Sequence, residues 1–176
     1  RVELRAWLVV AVGFAALAAS FTARSSLGLA MPTWEAEFGW SRGFISTVAA
    51  LALVAMAAAA PISGRLVDRH GPRAFIAGGL VLVGAGILAT IAMSRPWHLV
   101  VAFSALAGLG FGTVAMHVVS TGVARFFTAN RGLAIGIATS GATAGQLALM
   151  PAVGFVLAVA GWRWGLAGLA VLCLAL

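Results

Sequence analysis

The chain has 176 residues, 62% of them hydrophobic and 9% charged, with eleven cations, four acids and a net charge of +7. A water-exposed globule normally carries about a quarter charged residues, so the polar surface needed for a soluble domain is missing, and the long apolar runs must be helices that satisfy their own backbone in lipid. The cations are all arginine and, apart from Arg24, stand at the ends of those runs, where they set topology, and this pattern argues against nucleic-acid binding.

Arg1 and Arg5 precede an apolar run that predicts a first helix over about 6–31, broken only by Arg24 and closed by Met31-Pro32. Thr33 to Arg42 reads as an interfacial loop anchored by tryptophans, with Ser41 as the cap of a second helix over about 43–63. Gly64 to Arg73, G-R-L-V-D-R-H-G-P-R, reads as a charged loop. Pro72 then stands where a first-turn proline is tolerated, before a third helix over about 74–93. After a tight turn at 94–97, a fourth helix over about 98–124 carries G-L-G-F-G at 108–112. Small residues at that spacing let helices approach closely, and with no soluble strand before them they have no phosphate to cradle.

The short loop Arg125 to Arg131 leads into a fifth helix over about 132–160 with Pro151 inside it. G-W-R-W at 161–164 turns the chain into a sixth helix over 164–176, shorter than the roughly twenty residues of a full span, so the chain reads as cut within its last helix. No cleavable signal peptide is expected. Cys173 has no second cysteine to pair with and reads as a buried thiol, so neither a disulfide nor a cysteine metal site is expected.

The fold expected is therefore an all-α membrane protein, a six-transmembrane-helix bundle. The turn near Ser94 divides it into 1–93 and 94–176, three helices each, an arrangement often found as inverted repeats. With the N-terminus cytoplasmic, Arg1, Arg5, Arg65, Arg69, Arg73, Arg125 and Arg131 fall inside and Arg42, Arg95 and Arg163 outside, which satisfies the positive-inside rule.

The spacing of Gly64, Asp68, Arg69, Gly71 and Arg73 between the second and third helices resembles the N-terminal half of a major facilitator superfamily transporter. That resemblance implies a twelve-helix protein, with the C-terminal six-helix half as the missing partner. Phe126 to Gly141 further resembles the start of the fifth helix in the monocarboxylate and oxalate/formate transporter group, through Phe127, Arg131, Leu133, Ala134, Gly136, Ala138 and Gly141. Ala129 and Asn130 stand where eukaryotic members have cations, and the acidic-Gly-Gly signature is missing around Arg5-Ala6-Trp7. Ser104 stands about where many proton-coupled facilitators have an arginine. No Gly-Pro pair of the drug-exporter type follows Gly141 and Gly145.

Among candidate site residues, Arg24 is the sharpest. A charge inside a span costs about 2.5–3.5 kcal/mol on insertion scales, so it needs a cavity, a partner or a substrate. It either snorkels or pairs structurally, or it offers its planar fork to a substrate carboxylate. The resemblance favours the second, because the monocarboxylate group has a cation near this place. Ser20 lies one turn earlier on the same face. His117 reads as a proton shuttle, a substrate ligand or a hydrogen-bonded packing residue, and Gln146 as a cavity donor or an interhelical bond.

No acid lies inside a span, so carboxyl-mediated proton coupling would have to use the other half; no cofactor or metal is expected. Resemblance assigns Gly64, Asp68, Arg69, Gly71, Arg73 and Arg131 to gating, with Asp68 latching onto a helix of the other half. The function expected is secondary transport of a small organic anion, a monocarboxylate, by alternating access in the lipid bilayer of a bacterial cytoplasmic (inner) membrane. A facilitator-type exporter is the alternative. A structural subunit would leave Arg24 unexplained. An intramembrane protease is disfavoured because Ser140 in A-T-S-G has no later histidine: His70, His98 and His117 all precede it.

Overall fold

The computed structural model describes residues 2–127 and 130–176, with the side chains of 2–4, 66 and 68–70 outside the description. The helices are α1 (Val2–Phe38), α2 (Arg42–His70), α3 (Pro72–Ile91), α4 (Pro96–Ala124), α5 (Arg131–Ala160) and α6 (Trp162–Ala175), and no strand occurs among the described residues. Five of them are long and apolar enough to cross a membrane, and α6 is a shorter apolar helix of 14 residues. The chain is an all-α, multi-pass membrane protein.

Two expected loops are helical. α1 runs through Pro32 to Phe38, so 33–38 is helix and only 39–41 links it to α2. A proline removes one backbone bond, and tertiary contacts carry the helix past it. Trp34, 1% exposed, meets Trp162 edge-on at 5.6 Å. Glu37 accepts hydrogen bonds from Trp162 Nε1 at 2.6 Å and Arg163 Nη2 at 2.9 Å, so the far end of α1 is pinned to the start of α6. Ser41 caps α2 as expected, accepting from the Phe44 N–H at 3.2 Å.

The charged stretch 64–73 is likewise the last turns of α2, a single linking residue and the first turn of α3. Gly71 supplies that link at φ +82, where a side chain would be strained, and its N–H returns to the Val67 carbonyl at 3.0 Å. Pro72 follows at the first helical position, where its missing N–H costs nothing.

α4 is not one continuous helix. It begins with a helical turn at Pro96–Leu99, winds as a π-helix over Val100–Ala107, returns to α-helix at Gly108–Thr113, and breaks at Val114 and Ala115 before Met116–Ala124. In the wide-wound part, the buried Ser104 hydroxyl donates to the Val48 carbonyl of α2 at 2.7 Å. The glycines that follow bring backbones together, as the spacing suggests. A Cβ at Gly112 would fall 2.8 Å from the Met56 carbonyl oxygen of α2, and one at Gly110 would fall 2.8 Å from the Gly79 carbonyl oxygen of α3. Ser63 adds a bond from α2 to the Gly112 carbonyl at 3.2 Å.

The packing pairs α1 with α5, α2 with α4, and α3 with both α4 and α6. At the first of these interfaces Gly141 and Gly145 lie directly against the backbone of Phe14 and Ala18. A core of small, aliphatic and aromatic side chains from α1 to α4 and α6 fills the bundle, and a second cluster, including Val10, Leu17, Val119 and Ala138, joins α1, α4 and α5.

Candidate functional site

The site grows out of the middle of α1. Arg24 pairs with no carboxylate among the described residues, since Glu35 is bound to Arg42 at 2.8 Å and Glu37 to Arg163. Its guanidinium lies 4.5 Å above the Phe21 ring, and Nη1 is 4.0 Å from the Met56 sulfur on α2. Both contacts fit a cation and soft or π density, and neither neutralises the charge.

Beside it is a cavity of about 190 Å³ lined by Ser20, Phe21, Arg24, Met56, Phe111, Ala115 and Met116. The i, i+4 spacing brings Ser20 and Arg24 into the same space, as read from the sequence. Ser20 is 2% exposed, and its hydroxyl has no hydrogen-bond partner among the described residues. The remaining walls are apolar side chains from α1, α2 and α4, so the cavity combines one cation, one hydroxyl and a short apolar lining. The break in α4 opens onto it through Ala115 and Met116.

Gln146 approaches the same level of α1 from α5. Its amide nitrogen donates to the Ser25 hydroxyl at 3.2 Å, one residue from Arg24. Ser25 was not singled out from the sequence, because which face of α1 meets α5 depends on the seating of Gly141 and Gly145. Phe21, Met56 and Phe111 were also missed: an apolar side chain that lines a cavity carries the same sequence signal as one that faces lipid or core.

His117 is exposed, lies one residue beyond Met116, and is not part of the cavity wall; Ser20 and Arg24 are. It shares an exposed face of α4 with Thr121, whose hydroxyl donates to the His117 carbonyl at 2.8 Å.

Of the residues assigned to gating, Gly64 is exposed and a side chain there would meet nothing within 4 Å. Arg131 is exposed at the first position of α5. Arg73 lines a second cavity, about 540 Å³, together with Arg5, apolar residues of α1, α3 and α4, and Leu176. The side chains of Asp68 and Arg69 lie outside the described residues. Ser140 is exposed, and its hydroxyl is engaged with its own helix at the Ile137 carbonyl, 2.8 Å away.

Comparison with known proteins agrees with this architecture. Monocarboxylate transporter 11 of Mus musculus is 36% identical over 160 residues, covering 91% of this chain and 36% of the relative. The Homo sapiens protein of the same name is 35% identical over 160 residues, covering 91% of this chain and 34% of the relative. Riboflavin transporter MCH5 of Saccharomyces cerevisiae is 32% identical over 144 residues, covering 80% of this chain and 27% of the relative. The chain thus spans about a third of the length of the curated relatives it matches. These are transporters and not enzymes, which removes the protease reading. Residues 13–176 match the Major Facilitator Superfamily, and the chain belongs to that family.

Proposed function

We propose that the chain is the N-terminal six-helix half of a secondary transporter of small organic anions, monocarboxylates in particular, and that Arg24 binds the carboxylate. The observation that carries this reading is the chemistry of the 190 Å³ cavity, where an arginine without an acidic partner among the described residues shares with the Ser20 hydroxyl a space otherwise walled by Phe21, Met56, Phe111, Ala115 and Met116. One guanidinium satisfies one carboxylate, and the apolar walls suit a short uncharged remainder. A second carboxylate would be desolvated there without a partner. The similarity to monocarboxylate transporters points the same way.

Alternating access in this reading is rocking of this half against a second one around a midplane site. The pairing of α1 with α5 and of α2 with α4 supports inverted repeats, because exchanging the two three-helix units carries each of these two interfaces onto the other. The arginine distribution supports a cytoplasmic N-terminus. On that side Gly64, Asp68, Arg69, Gly71, Arg73 and Arg131 form one side of the cytoplasmic gate. Gln146 positions α1 through Ser25 and borders the substrate path, as does the exposed His117; coupling to protons belongs to this proposal as well.

The exporter alternative gives no role to an Arg24 that has no acidic partner among the described residues. The full-length protein in proteoliposomes should take up acetate or pyruvate at least about tenfold better than malonate or oxaloacetate, the scale of one unpaired charge in a dry site. Preference for the dicarboxylates, or uptake restricted to uncharged solutes, would contradict the reading.

A further inference from the structure

We propose that the interruption of α4 is the second pole of the anion site, with the N–H groups at the start of Met116–Ala124 and the Ser20 hydroxyl receiving a carboxylate oxygen. This rests on the reading of Arg24 as the carboxylate ligand and adds a specific role for the backbone of α4.

The N-terminus of a helix carries N–H groups that its own first turn cannot use, and a partial positive charge that favours anions. The Met116–Ala124 segment is 9 residues long, and its preceding residue, Ala115, is extended at φ −108, ψ 157 with no side-chain cap. The N–H groups of Met116 and His117 therefore have no acceptor within their own segment. In the middle of a span, where water is scarce, a helix end without a cap is costly unless something polar meets it.

Ala115 and Met116 line the same cavity as Arg24 and Ser20. Ser20 is an independent indication of a ligand: it is 2% exposed, faces that cavity, and makes no hydrogen bond among the described residues, whereas the neighbouring Thr22 and Ser26 hydroxyls each donate to a backbone carbonyl at 2.7 Å. A guanidinium from α1, a hydroxyl one turn before it and the open end of a helix in α4 converge on one small space. Two of these donors come from α1 and one from α4, so an anion held there would tie the two helices together.

The backbone donor can be removed without disturbing the chain. Proline at 116 would occupy the first helical position, where it is favoured, and the φ and ψ of Ala115 already match those required before a proline. Uptake of acetate, lactate, pyruvate and benzoate is measured with the full-length protein. For the acids transported, Met116→Pro should raise the half-saturation concentration roughly tenfold relative to Met116→Leu, the scale of one charge-assisted hydrogen bond.

Equal half-saturation in the two variants, with uptake lost in Arg24→Gln, overturns the role of α4 and leaves Arg24 in place. Normal uptake by Arg24→Gln, or none of the four acids transported by the wild type, overturns both. If Met116→Pro does not insert, Ser20→Ala decides: a rise of about fivefold supports the two-pole site, and an unchanged value overturns it.

Discussion

Replacing Arg24 with alanine is expected to abolish anion uptake while leaving the protein inserted and folded. Among the described residues its only polar or π contacts are Phe21 and the Met56 sulfur, and no acid among them is stranded when the guanidinium goes. Losing the charge also removes the insertion cost of a cation in a span. What disappears is the partner of a desolvated carboxylate. Truncating one member of such a pair costs about 2–4 kcal/mol, a roughly thirtyfold to near-thousandfold loss of affinity. Arg24→Lys keeps the charge without the bidentate fork and should fall between the two. The measurement is initial uptake rate normalised to membrane protein, with detergent melting temperature as the control for folding.

The second large effect concerns packing. Gly145→Leu should destroy the α1–α5 interface, because a Cβ at that position would lie 2.6 Å from the Ala18 carbonyl oxygen and against the rest of that residue. Helices in lipid associate through close packing, since lipid offers no hydrophobic gain between them. A backbone neighbour cannot rotate away as a side-chain tip can, so the cost should reach or exceed the usual penalty of about 1–3 kcal/mol for overpacking. Gly78→Leu on α3, where an added Cβ would meet nothing within 4 Å, is the matched control. Size-exclusion profiles and thermal melts should show loss of monodisperse protein for the first variant and near-wild-type behaviour for the second. Since the same interface brings Gln146 to Ser25, any Gly145→Leu protein that survives should also transport poorly.

Much of this bundle is legible from the sequence because the apolar runs are long and the arginines punctuate them. Helix ends are another matter. The stretches 33–38 and 64–70 carry charges, the second also a glycine, and read as loops, yet both are helical. In the first, polar residues find tertiary partners such as Trp162 and Arg163; in the second, Gly71 at positive φ lets the chain turn within one residue. Polarity marks where the membrane ends, and a helix can continue into water beyond that point.

The site shows the same division. Ser20 and Arg24 share a face by spacing alone, and the structure places both on the cavity. The break at Val114 and Ala115 has no proline to announce it, and the preceding glycines are explained by close packing on α2 and α3, so neither the interruption nor the role of Met116 could be read in advance. The fate of His117 followed from that break, which restarts the helix just before it and leaves its side chain outside the wall that Met116 joins.

The most direct test of a carboxylate bound beside Arg24 is occupancy of the cavity itself. Met56→Cys places a thiol on the cavity wall in a background lacking every other cysteine, Cys173 included. Its labelling by a small membrane-permeant thiol reagent is timed with and without ligand. Saturating acetate, lactate or pyruvate should slow labelling several-fold, and acetamide, lactamide or pyruvamide at the same concentration should leave the rate unchanged. Equal labelling rates with acids, with amides and without ligand would contradict carboxylate binding at this site.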